Sequence, residues 1–440
     1  MRPKIILTII ATVIGITAVA QNDLKLKLDS IANSGIEKGI PGIQILISDN
    51  DSQSIYNYGS QDINKTNEIN DSTNWRYGSI TKLFTAVMIL QLESEKKLSI
   101  DDFVSKYVDL NQHNDKGITI KQLLNHTSGL YNYTSSNRLK WEDTMNQCLE
   151  YSLKRKLNST PGSEYSYCNT GYVILGLIIE KVTKLSYQQN ITERIFEPCG
   201  LKSMIYCNDE KTPSNTARGY KRKRKKHKDF TEINHSWANS AGAVLGNLSD
   251  LNQFVNCLFS GSLIDSVQLK KMITPTIIYR DLNTEGLVEI KIMEQKNPTA
   301  EYVSGGESIL KTKSSISTVE DLSESDKKKI KKTAAKYGTC LVFIDTKGLW
   351  GAAGGLYYYL EWFYHAVGLC WNLNLDKTEK TIYVSHGGST QGYNCDIHYN
   401  TQNNLTIAIG MNLFPSGEYE PVFSTQNQLI NTIHEYYKKK

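Results

Sequence analysis

Apolar positions recur at helical spacing from Leu24 to Lys38, through Leu28, Ile31 and Ile36, until Gly39 and Pro41 stop the pattern. The run Gly42-Ile43-Gln44-Ile45-Leu46-Ile47 then reads as a buried strand, and Ser54 to Tyr58 as its neighbour across an Asp49-Asn50-Asp51 turn. From about residue 79 to 260 the period is mostly helical, broken by loops rich in Asn, Ser, Gly and Pro. Strand patterns return at Thr381 to Val384, Tyr393 to Tyr399 and Leu405 to Met411, and an amphipathic helix closes the chain from about Pro421 to Tyr437. Strands at both ends with helices between predict an α+β or mixed α/β fold, in which one sheet is closed by both chain ends around a helical insert.

Two stretches depart from that plan. Lys221 to Lys228, KRKRKKHK, is a basic block that reads as a solvated loop or as contact with an anionic surface such as phospholipid or an acidic wall polymer. A Glu-, Lys- and Ser-rich stretch near Ile278 to Lys336 reads as an insertion, bounded at about 278–345, partly mobile or forming a small helical appendage. No internal repeat is evident.

The first twenty residues have a positive start (Arg2, Lys4), an apolar run from Ile5 to Val19, and a small-residue ending at Ala18-Val19-Ala20 before Gln21 and Asn22. This layout predicts a secretory signal peptide over 1–20, hence a periplasmic or extracellular mature chain, with an uncleaved anchor as the alternative. The run is shorter than the roughly 20 residues of a spanning helix. The segment Leu349 to Leu360 is likewise apolar but too short, and no Cys follows Ala20 to carry a lipid.

Composition narrows the picture little further. A chain of 440 residues, 40% hydrophobic and 22% charged, suits a soluble globular protein, and a net charge of +5 gives no reason to expect nucleic acid. Among the eight cysteines Cys199 and Cys207 are the nearest pair, either bridged or buried as thiols. The spacings hold no CxxC pair and no Cys/His cluster of the kind that binds zinc.

The chemistry concentrates in three places. In Tyr77-Gly78-Ser79-Ile80-Thr81-Lys82 the apolar residues Leu83, Ala86, Val87 and Leu90 continue at helical spacing, so Ser79 opens a buried helix and Lys82 shares its face. Burial disfavours the charged form of a lysine, and a neutral Lys82 is the base that a weakly acidic serine needs. The S-x-x-K spacing also occurs at Ser94, Ser308 and Ser325, in charged or loop-like surroundings. The second place is Tyr167-Cys168-Asn169, on a loop between Pro161-Gly162 and a helix over Val173 to Val182. A tyrosine beside an ammonium loses its proton more readily, so Tyr167 reads as a second base, and Asn169 as a donor to a substrate carbonyl. The third is His386-Gly387-Gly388-Ser389, where glycines on a strand allow close approach. A backbone N–H there, with that of Ser79, makes an oxyanion hole.

Together these motifs resemble the penicillin-recognising serine hydrolases, in the branch of class C β-lactamases, DD-carboxypeptidases and related esterases. Ile118 to Leu130 (ITIKQLLNHTSGL), Ile195 to Leu201 (IFEPCGL) and Ala241-Gly242 also resemble that branch, and the likeness covers about residues 25–275 and 363–437. It implies a β-lactamase/DD-peptidase-like fold and no cofactor or metal. It implies Ser79 as acylated nucleophile, Lys82 and Tyr167 as the proton-transfer pair, and Asn169, His386, Gly387, Gly388 and Ser389 as substrate-binding positions, with His126 fixing its own loop. Gly387 stands where many relatives carry a Thr or Ser that binds a substrate carboxylate, and His386 where class C enzymes carry Lys. Ser389 is a candidate for the missing hydroxyl, and His386 for a protonated imidazole beside a carboxylate. The expected activity is hydrolysis of a D-amino-acid peptide, amide or ester, most like a DD-carboxypeptidase. The alternatives are an esterase or weak β-lactamase, or a penicillin-binding or interaction protein without turnover.

Overall fold

The computed structural model describes residues 22–50, 52–139, 143–163, 165–207, 212–223, 226–274, 277–282, 299–304, 307–315, 340–344, 364–367, 369–370, 372–375, 381–414 and 421–438. The signal segment at 1–20, the acidic-to-lysine run after Glu320 and the apolar run Leu349 to Leu360 lie outside these residues.

Both chain ends meet in one sheet, as the pattern predicts. Strand Gly42–Ser48 pairs antiparallel with Thr406–Met411 on one side, with Ile45 opposite Ile409, and with Gln53–Gly59 on the other. Thr406–Met411 pairs in turn with Tyr393–Asn400, and that with Thr381–Thr390. The two faces of Gly42–Ser48 are both covered. Ile43, Ile45 and Ile47 pack with Leu24 and Leu28 of the helix over 22–37 and with Leu429, Ile430 and Ile433 of the helix Pro421–Lys438. Leu46 joins the larger core on the opposite face, and Gln44 is held there by Trp75, whose indole N–H donates to Gln44 Oε1 at 2.8 Å. A strand buried on both faces has no polar alternation, which is why it reads as a continuous apolar run.

The larger core is organised around helix Thr81–Ser94, whose residues from Thr81 to Leu90 are all buried. Phe84 stacks on Phe254 of helix Leu248–Phe259 with ring centroids 4.0 Å apart and meets Phe196 edge-on at 6.0 Å. Helix Asn169–Thr183 lies beside it; the sequence places its start four residues later, at Val173.

Two expectations are corrected and one open alternative is decided. The helical appendage is strand wherever it is described: Ile277–Leu282, Thr299–Ser304, Glu307–Ser315 and Cys340–Ile344 extend the main sheet to eleven strands. Ile277-Ile278-Tyr279 and Leu341-Val342-Phe343-Ile344 carry the β-branched and aromatic residues that suit strands, a signal hidden by the polar average of the stretch. The basic block is a hairpin, not a loop: Tyr220–Lys223 pairs with Lys226–Asp229, and Leu413–Phe414 adds in parallel. The Cys199 thiol is buried against Cys257, not bridged to Cys207.

Candidate active site

The turn that presents Ser79 is built by close approach. Gly78–Ile80 is a 3-10 turn running into helix Thr81–Ser94, and Gly78 has φ +54°, a conformation favoured by glycine. A Cβ at Gly78 would sit 2.9 Å from the backbone N of Ser389. A Cβ at Gly388 would sit 1.8 Å from Tyr77 O and 3.0 Å from Ser79 N. The two glycines therefore let strand Thr381–Thr390 lie directly on the turn, which brings the N–H groups of Ser79 and Ser389 to one place. Among the described residues the pairing of Thr381–Thr390 with its outer neighbour Asn372–Leu375 ends at Ser385, so the stretch from His386 onward forms a rim.

Lys82 is fully buried one turn into the helix. Its Nζ lies 3.0 Å from Ser79 Oγ and donates to the Ala241 carbonyl at 2.7 Å. Burial pulls its pKa down to about 7. Near neutral pH the amine can thus keep one N–H on Ala241 and turn its lone pair to Ser79.

Tyr167 reaches the same serine, with its hydroxyl in hydrogen-bonding contact with Ser79. Its expected acidity is corrected. Burial drives the phenol above its ordinary range, and Lys82 lies over the ring, 4.9 Å from its centroid. Tyr167 is a neutral phenol that can hand a proton on, and of the two groups only Lys82 is brought near neutrality.

His386 is held as a neutral ring; its expected protonation is tied to a carboxylate beside it. Burial first, then the nearby Lys82, pull the imidazole down to about 4, and its Nδ1 lies 2.7 Å from the Gly387 carbonyl. The Ser389 hydroxyl is not available as the missing donor, because it is 2.6 Å from Asn394 Oδ1. Asn169 is expected to donate to substrate, but its amide already donates to Thr134 Oγ1 at 3.0 Å and, more weakly, to Asn132 Oδ1 at 3.4 Å. Its carbonyl oxygen is the group left for a substrate N–H. His126 is expected to fix its own loop; its Nδ1 instead accepts from Cys168 N at 3.1 Å, beside Tyr167, and its ring lines the cleft.

These groups line one cavity of about 460 Å³. Ser79, Tyr167, Asn169, His386, Gly387, Gly388 and Ser389 all face it. Sequence reasoning missed Tyr133, Trp237, Cys370, Asp396, Phe414, Phe423 and Gln426, which line it too. For Asp396 a signal existed. A tight hairpin at Gln391-Gly392 sets Gly387 opposite Asp396, a carboxyl within a buried strand.

A family model described as Beta-lactamase matches residues 20–284, more than half of the chain. Protein flp of Staphylococcus aureus (strain MW2) is 36% identical over 207 residues, 45% of this chain and 42% of that protein. Teichoic acid D-alanine hydrolase of Staphylococcus aureus is 32% identical over 163 residues, 37% of this chain and 40% of that one. The matches thus span less than half the length of these relatives. The D-amino acid amidase from Ochrobactrum anthropi SV3 superposes with a TM-score of 0.66 over 95% of this chain and 99% of its own, at 19% identity. The D-stereospecific amidohydrolase from Streptomyces sp. does so at 0.62 and 21% identity, over 91% and 97%. At such identities the likeness speaks for the fold.

Proposed function

The chain belongs to the beta-lactamase family of hydrolases, and from that premise we propose that it hydrolyses D-amino-acyl amides or esters through an acyl-enzyme on Ser79. The observation that carries the reading is the buried Lys82 amine, 3.0 Å from Ser79 Oγ and brought to about 7. Neutral Lys82 takes the Ser79 proton as the oxygen attacks the substrate carbonyl. The N–H groups of Ser79 and Ser389 stabilise the oxyanion. Tyr167 gives its proton to the departing amine or alcohol and is reprotonated from Lys82. Water then enters by the reverse sequence and releases the acid.

Within that class we favour an amidase or esterase over a DD-carboxypeptidase or β-lactamase. Substrates of the latter two end in a carboxylate. Among the described residues no Lys or Arg lines the cleft, His386 is neutral, and Gly387 has no hydroxyl. The names of two similar proteins, a D-amino acid amidase and a teichoic acid D-alanine hydrolase, fit the same chemistry. A leader over residues 1–20 would support a reaction outside the cytoplasm, where the basic hairpin suits an anionic surface.

Mixing the mature chain with D-alaninamide or a D-alanine ester should release D-alanine and, on acid quench, leave a D-alanyl adduct that maps to Ser79. Turnover that persists in Ser79→Ala would overturn the reading.

A further inference from the structure

The cleft holds an acidic group. Among the described residues lining it, Asp396 is the only acidic side chain, and no lysine or arginine answers it. Asp396 stands directly across the strand pair from Gly387. A Cβ at Gly387 would lie 3.8 Å from Asp396 Oδ2, so any side chain there would stand against this oxygen. Glycine leaves it open to the cleft.

The carboxyl is held in place by a chain of hydrogen bonds. Ser389 Oγ donates to Asn394 Oδ1, the Asn394 amide to Gln426 Oε1, and the Gln426 amide to Asp396 Oδ2. Oδ1 accepts from Ile397 N at 2.9 Å and lies 3.3 Å from His398 Nε2. Gln426 occupies one acceptor site of Oδ2 and brings no charge, so a second acceptor site remains. Phe414 and Phe423 line the same cavity. A fixed carboxylate oxygen with an acceptor site left open to the cleft is the chemistry that holds an organic ammonium, whereas the Phe414 ring already carries Lys221 Nζ at 4.5 Å.

Building on the acyl-transfer reading above, we propose that Asp396, opened to the cleft by Gly387, binds the free α-ammonium of a D-amino-acyl substrate and so selects against N-acylated ones. The same carboxylate would repel a substrate carboxylate at that position.

Protection of Ser79 from a neutral fluorophosphonate probe, read as an initial labelling rate with the amide in large excess, tests this. D-Alaninamide and N-acetyl-D-alaninamide compete with the probe in the wild-type chain and in Asp396→Asn, Asp396→Glu and Gly387→Thr. D-Alaninamide should protect the wild type at a concentration about 10–100-fold lower than its N-acetyl analogue, the range of a charge-assisted hydrogen bond. Asp396→Asn and Gly387→Thr should each erase that preference, and Asp396→Glu should restore part of it. Equal protection by the two amides in the wild type, no protection by either, or a preference that survives in Asp396→Asn overturns the proposal. If Asp396→Asn fails to fold, a preference retained in Gly387→Thr overturns it. Failure of Ser79 to label in the wild type is a separate result, and it sinks the acyl-transfer reading instead.

Discussion

The strand Gly42–Ser48 and the strand Thr381–Thr390 belong to one sheet, yet they are built to opposite ends. The first is apolar on both faces, and its one buried polar side chain, Gln44, meets Trp75, Asn57 and the Asn70 carbonyl. The second carries two glycines and a neutral buried histidine, and lies on a turn with a positive-φ glycine and a buried lysine. The terminal half is stabilised by what it buries. The half that holds the cleft is destabilised by what it buries, and that same burial brings Lys82 to about 7.

The largest effect should come from Lys82→Met. It keeps the length of the side chain and removes the amine, so Ser79 labelling should slow by roughly 10²–10⁴-fold, the worth of general-base assistance. The same change should stabilise the fold. An amine of ordinary pKa 10.5 held at about 7 destabilises the folded chain by about 4–5 kcal/mol below pH 7. The unfolded chain binds the extra proton between these values, so wild-type stability should rise from pH 7 towards 10.5, and the variant should lack that slope. Urea titrations at several pH values check this. A variant both inactive and less stable would break the contrast between the two halves.

Next are two substitutions that separate the halves. Gly388→Ala puts a Cβ 1.8 Å from Tyr77 O, which forces strand and turn apart, so labelling should fall by orders of magnitude. Ile45→Ala opens a cavity among the terminal helices and should cost about 2–5 kcal/mol, with the labelling rate per folded molecule unchanged. Equal labelling loss in both would mean that the sheet acts as one unit. The smallest effect is expected at Tyr58→Phe, which removes the 2.9 Å hydrogen bond to Asp29. It should cost about 1 kcal/mol and leave the rate alone.

Much of this was legible in the chain. The helix over 22–37, the first two strands, the three C-terminal strands and the last helix follow from the periodicity of their apolar residues. Ser79 and Lys82 were legible because helical spacing puts them together whatever the remaining fold does. What failed depends on environments that no spacing encodes. Proximity to Lys82 suggested an acidic Tyr167, but burial outweighs it. A protonated His386 was tied to a neighbouring carboxylate, and in the chain alone burial and Lys82 both act against the charge. The basic block looked like a loop because its charges hide a pairing that Leu413–Phe414 completes from far along the chain. Asp396 was visible as a residue, but its place in the cleft depends on a cross-strand register and on Gly387 having no side chain.

The most direct test is the pH dependence of Ser79 labelling by a fluorophosphonate, with the adduct mapped by mass spectrometry. Lys82 must be neutral to accept the proton, so the rate should climb with a midpoint near pH 7, falling about tenfold per pH unit below it, and the climb should vanish in Lys82→Met. A flat profile, or an adduct on a serine other than Ser79, would contradict the account.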